Sequence, residues 1–175
     1  TDAAPGSLEQ KVGAFYAAAM DEAAIEKAGF DPIRPELARI DALAGPRDIV
    51  GYLTDMHSRG WMQVFAFGSG ANYNDSSRTI AYAFQAGLTL PTRDYYTDDR
   101  HAAVREAFVA HAARVLELVG VDAAAAKQQA ADVLAFETQL AKVSLAPAEL
   151  NDPANQFHFV SLDEAKNAMP NFDWP

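Results

Sequence analysis

The 175 residues contain no cysteine, which removes disulfides, thiolate nucleophiles and cysteine metal ligands together and leaves the redox compartment open. No apolar run approaches the roughly 18 residues that cross a bilayer, and no basic-then-apolar leader opens the sequence, so the expectation is a soluble piece, mature or trimmed. Basic residues are few: 14 Lys and Arg stand against 24 Asp and Glu, a formal charge of −10. A surface of that sign repels phosphate backbones and anionic lipid, which argues against nucleic acid as a partner. Histidine is scarcer still. His57, His101, His111 and His158 are the whole set; no two lie one helical turn apart, and the H-E-x-x-H arrangement that brings two imidazoles and a glutamate to one zinc does not occur.

What is present is apolar and mostly of helical period. Half of the residues are hydrophobic, and a domain of about 150 residues buries roughly 70% of its unfolded surface, so a packed core is expected. With no repeat and no linker, residues 1–175 read as a single region. "SLEQKVGAFYAAAMDEAAIEKAG" opens on a capping box, Ser7 with Gln10, and predicts one long helix up to Gly29. "IRPELARIDALAG" and "PRDIVGYLTDMHSRG" predict two shorter helices, the second with Pro46 in its first turn and Gly60 as its stop. "DDRHAAVREAFVAHAARVLELVG" and "DAAAAKQQAADVLAFETQLAKVSL" predict two long ones, and Ser161 with Glu164 caps a short helix that ends before Pro170. Between them, residues 61–86 turn β-branched and aromatic around the turn-forming "GSGANYNDSS". This predicts one antiparallel hairpin at about 62–84, with strands over 62–67 and 78–84. The fold class is mainly α with one hairpin.

Candidate chemistry is thin. The acids in "MDEAAIE", "TDDR" and "LDEA" sit where they favour the positive end of a helix and stay solvated, so no general acid and base pair stands out. "GSGANYN" lacks the lysine and helix start of a phosphate cradle. Asn74 with Ser76 matches the N-x-S acceptor pattern, which is short and common. The exception is "GLTLPTRDYY". Pro91 fixes one backbone angle and biases Leu90 toward extended structure, so the chain turns near Thr92 and gathers Arg93, Asp94, Tyr95 and Tyr96 at a corner. A planar guanidinium beside rings with wet hydroxyls could bind a ligand, or it could clamp the hairpin to the following helix; the clamp is favoured.

The segments "FYAAAMDEAAIEKAG", "DSSRTIAYAFQAGLTLPTRDYY", "FVAHAARVLELVG", "FETQLAKVSL" and "NDPANQFHFVSLDEA", with "NFDW" near the end, follow one another over nearly the whole chain. In that order and at that spacing the sequence resembles the neprilysin-like zinc metalloendopeptidases, peptidase family M13, and particularly their bacterial members. The resemblance implies two largely helical domains, one carrying zinc and the other closing over a cavity that admits peptides. This chain is similar to an internal part of the N-terminal covering, or lid, region. The catalytic domain that would complete it in cis, with its H-E-x-x-H helix, lies outside the stretch that is similar, so no catalytic or metal role passes to any residue here. The corner Leu90, Pro91, Arg93, Asp94, Tyr95 and Tyr96 is then architectural. The resemblance implies zinc in the full-length parent but none in this chain, peptide substrates, an exported, periplasmic location, and inactivity of this segment alone. The competing reading is a catalytically empty helical module that binds peptides or a partner. Two positions depart from the family: Phe84 and Phe159 stand where relatives carry charge. If those charges pair in relatives, the two rings replace them with an apolar contact, and Phe84 should be mostly buried.

Overall fold

The computed structural model describes residues 3–172. The chain divides into two compact units, Thr1–Leu43 and Ala44–Pro175, at a point where the sequence shows no linker. The first unit holds helices α1 (Leu8–Ala19), α2 (Glu22–Ala28) and α3 (Arg34–Asp41), with a 3-10 turn at Asp31–Ile33 leading into α3. Ser7 caps α1 by accepting from the Gln10 N–H at 3.2 Å. The single long helix expected over 7–29 is broken at Met20–Asp21. Asp21 leaves helical geometry and its carboxylate accepts the Ala24 N–H at 3.0 Å, starting a new helix, as a short acid does more readily than it continues an old one.

The second unit begins with α4 (Pro46–Ser58), which enters on Pro46 and buries Leu53 and Met56. The hairpin follows: β1 (Phe65–Asn72) and β2 (Asp75–Gln85) pair antiparallel with Phe65 opposite Gln85 and Ala71 opposite Thr79. Its place agrees with the sequence reading, but its limits do not. The first strand starts three residues later than expected, and both strands run on through "GSGAN" and "DSS", leaving only Tyr73 and Asn74 at the tip. Those small residues serve as a floor. Gly68 lies opposite Tyr82 and Gly70 opposite Ile80, a Cβ on Gly70 would touch the Tyr82 ring at 3.4 Å, and the Tyr82 hydroxyl donates to the Ala71 carbonyl at 2.7 Å. Small residues facing bulky ones let the rings lie across the sheet.

The expected burial of Phe84 fails. Its ring is 54% exposed and stacks on Tyr82, with centroids 5.7 Å apart, while Phe159 is 72% exposed. Tyr82 supplies within the strand the apolar partner that Phe159 was expected to bring.

Beyond the hairpin the chain is irregular to Arg93. It then forms the single turn α5 (Asp94–Thr97), a 3-10 turn over Asp99–His101, and two long helices, α6 (Ala102–Leu118) and α7 (Ala123–Val143). Gly120, at φ 96, ends α6: the Gly120 N–H bonds the Glu117 carbonyl at 3.0 Å and the Val121 N–H the Leu116 carbonyl at 3.1 Å, the paired closure that favours a left-handed residue. Asp122 then caps α7 by accepting from Ala124 and Ala125. The two helices pack together with Ala113, Ala126, Ala130 and Ala141 among their buried residues, side chains small enough for close approach. Three short helices complete the unit, α8 (Pro147–Leu150), α9 (Pro153–Gln156) and α10 (Leu162–Ala168). The last carries the reciprocal Ser161–Glu164 box read from the sequence. Among the described residues no helix is long and apolar enough to cross a membrane.

Candidate functional site

The corner after the hairpin is held by α7, and its centre is a buried carboxylate. Glu137 is 7% exposed on the packed face of α7, and Tyr96 of α5 is 4% exposed beside it. The Tyr96 hydroxyl donates to Glu137 Oε2 and accepts from the Leu90 N–H at 2.8 Å. Thr89 supplies two further donors, its hydroxyl to Oε1 at 2.7 Å and its N–H to Oε2 at 3.2 Å. Burying a carboxylate is costly unless donors meet it, and here the bend at Thr89–Leu90 brings them. Burial raises the Tyr96 hydroxyl from its usual 10.0 to about 12, and its bond to Glu137 adds to the rise.

The cationic part of the corner ties down the far end of α7. Arg93 donates to the Ser144 carbonyl at 2.8 Å and lies 3.8 Å from Glu149; a guanidinium at the negative end of a helix gains from the helix dipole as well as from the hydrogen bond. Gln85, the last residue of β2, holds the next peptide with both ends of its amide, accepting from the Leu145 N–H at 2.8 Å and donating to the Leu145 carbonyl at 3.3 Å. Tyr95 turns the other way: its ring stacks on His101 with centroids 4.1 Å apart, and its carbonyl accepts from Arg105 at 2.8 Å. Arg105 also reaches the Asp98 carbonyl, stitching α6 to α5. The Asp94 carbonyl accepts the Asp98 N–H at 2.9 Å. Asp98 starts the 3-10 turn, and its carboxyl is held down to about 2 chiefly by the hydrogen bond from the Arg100 guanidinium. Pro91 sits exposed at the bend.

Of the residues singled out in the sequence, Leu90, Arg93 and Tyr96 are thus drawn together through backbone or side chain, while Tyr95 faces His101 and Arg105. The surrounding Thr89, Gln85, Glu137, Ser144 and Arg105 were not foreseen. One signal was available for Glu137: it falls on the stripe Ala126, Ala130 and Ala141 of α7, where an acid would otherwise be out of place. Beside this network lies an open cleft of about 520 Å3, walled by Met62, Gln63 and Val64 on one side and Gly87, Leu88 and Thr89 on another, with α7 presenting Val133 and Phe136.

Residues 1–175 match the model for peptidase family M13 over their whole length. The chain belongs to peptidase family M13. It is similar to the N-terminal region of neprilysin-like members: it is 26% identical to neprilysin-3 of Drosophila melanogaster over 95% of this chain and 23% of that protein. It is 25% identical to endothelin-converting enzyme 1 of Cavia porcellus over 98% and 24%. Among solved structures it superposes on the zinc metalloprotease Zmp1 of Mycobacterium tuberculosis with a TM-score of 0.88 and 30% identity, covering 99% of this chain and 26% of that one. PepO from Lactobacillus rhamnosis, at 18% identity and a TM-score of 0.72, shares the fold. The chain therefore spans about a quarter of the length of these M13 relatives.

Zmp1, the solved relative, is named as a zinc metalloprotease. The His57 ring is engaged with Gln63 and that of His101 with Tyr95, and among the described residues no three His, Asp or Glu side chains gather where one ion could lie between them.

Proposed function

We propose that this chain is part of a zinc-dependent metalloendopeptidase that hydrolyses peptides, and that it encloses the substrate cavity and limits substrate size without entering the chemistry. Membership of family M13 supports the peptidase half. The finer half rests on one observation, the fate of the corner's polar groups: Glu137, Tyr96, Thr89, Arg93 and Gln85 spend their hydrogen bonds on one another or on backbone of the same unit. An acid, base or ligand set needs groups turned toward a substrate; these are turned toward the scaffold.

The test uses the full-length parent carrying Arg93→Ala and Tyr95→Ala. Loosening both anchors should lower the unfolding temperature and admit longer substrates while short-peptide turnover is largely kept. A collapse of short-peptide turnover, with folding and substrate affinity unchanged, would put chemistry at the corner and overturn the reading. The peptidase half is tested separately by the reading frame downstream of position 175. An H-E-x-x-H helix there supports it, and its absence favours the catalytically empty binding module. The same proposal puts the parent outside the cytoplasm, in the periplasm, which cell fractionation checks.

A further inference from the structure

The turn between α4 and β1 carries the only non-glycine residue of positive φ among the described residues, Val64 at φ 66. The Phe65 N–H donates to the Gln63 carbonyl at 2.7 Å, closing a three-residue turn around it. Such a γ-turn of positive φ is rare and strained, and a β-branched residue at its centre makes it more so. Strain of this kind persists where the surroundings impose it. On one side the backbone of Gly87 is pressed so close that a Cβ there would lie 2.6 Å from Val64 Cα. On the other is His57, whose ring meets Phe65 edge-on with centroids 4.8 Å apart.

His57 Nε2 stands 3.0 Å from the Gln63 carbonyl oxygen and 3.2 Å from the Gln63 nitrogen. One ring nitrogen cannot serve both. Bare, it accepts from the N–H; protonated, it can only donate to the carbonyl. The carbonyl already receives the Phe65 N–H, so the bare nitrogen is the form that satisfies the Gln63 N–H as well. We propose that His57 is a pH-operated clasp on this turn. At neutral pH it accepts from the Gln63 N–H and holds the strained wall of the cleft in place; on protonation it turns to the Gln63 carbonyl and releases the amide. Histidine is the side chain that changes charge between about pH 5 and 8. The ring is met from β1 by Phe65 and from the turn by the Gln63 backbone, neither of which titrates, and the charged residues flanking it on α4, Asp55 and Arg59, are paired at 2.8 Å. Met62, Gln63 and Val64 form one wall of the 520 Å3 cleft, so the clasp sets the shape of that wall. This inference stands whether or not the parent is a peptidase.

Hydrogen exchange followed by mass spectrometry on the full-length parent tests it, with rates corrected for the intrinsic pH dependence of exchange. The Gln63 amide should lose about tenfold protection between pH 8 and pH 5, the effect of one hydrogen bond, while amides of the α6–α7 pair stay level. In His57→Gln, whose amide donates and accepts without titrating, the loss should vanish. A flat profile in the wild-type protein overturns the proposal, as does an equal loss in the variant. Should His57→Gln fail to fold, the wild-type profile decides alone, a loss of Gln63 protection from pH 8 to pH 5 supporting the clasp and a level profile refuting it.

Discussion

Tyr96 shows how much one hydroxyl can carry. It donates to Glu137 and accepts from the Leu90 N–H, so Tyr96→Phe strips a donor from a buried carboxylate and an acceptor from a partly buried amide. Leaving such groups unmet costs about 1–3 kcal/mol, a loss that urea unfolding of the variant beside the wild type should read. A pH series adds a sign. The hydroxyl titrates at about 12 in the folded protein against 10.0 in the open, so folding favours its neutral form. That contribution is complete below pH 10 and is lost as pH rises through about 12. The gap between wild type and Tyr96→Phe should therefore be widest below pH 10 and shrink toward pH 12; a gap that grows over that interval would contradict the assignment. The candidate site was half legible for a related reason. Arg93 and Tyr96 announce themselves in a dense local motif, but Glu137, 41 positions from Tyr96, is one of two acids in α7, with Asp132, until folding shows which face is covered.

Gly87 and Gly120 separate two costs that the same element boundary can impose. Both hold positive φ, at 85 and 96, and an alanine pays roughly 1–2 kcal/mol for that region. Space distinguishes them. A Cβ at Gly120 meets nothing within 4 Å, whereas at Gly87 it would lie 2.6 Å from Val64 Cα and 2.7 Å from the Val64 carbonyl oxygen. Gly120→Ala should thus lose about 1–2 kcal/mol. Gly87→Ala should lose clearly more, or fail to form the hairpin base, as read by unfolding and by exchange of the β1 amides; equal losses would mean that the base of the hairpin is free to shift. Local signals drew most elements correctly, because caps such as Asp122 and stops such as Gly120 act within a few residues. They misplaced the hairpin's ends, since "GSGANYNDSS" reads as a loop until Tyr82 is laid across Gly70. They also missed the break at Asp21, where a continuous apolar rhythm hid a side chain that starts a helix of its own.

At the scale of the whole chain the apolar surface is the feature to explain. In the first unit Leu8, Val12, Phe15 and Tyr16 lie on one side of α1 and are all exposed; in the second, Leu118 and Val143 are exposed as well. Apolar patches of that kind mark surfaces made for contact. With a quarter of an M13 protein's length present, the proposal is that the remainder of the parent covers them. The isolated 175-residue chain should then bind a hydrophobic dye and self-associate despite its charge of −10, and the full-length parent should do neither at equal concentration. The same chain should neither hydrolyse peptides nor take up zinc tightly. A catalytic zinc needs about three protein ligands converging on one point, and the described residues bring no such group together. Titration calorimetry at neutral pH gives the measurement. Weak, substoichiometric heats are expected, and a one-to-one site of submicromolar affinity, abolished by replacing a single histidine, would mean that this region binds metal in its own right and would overturn the proposal that it serves as a covering wall alone.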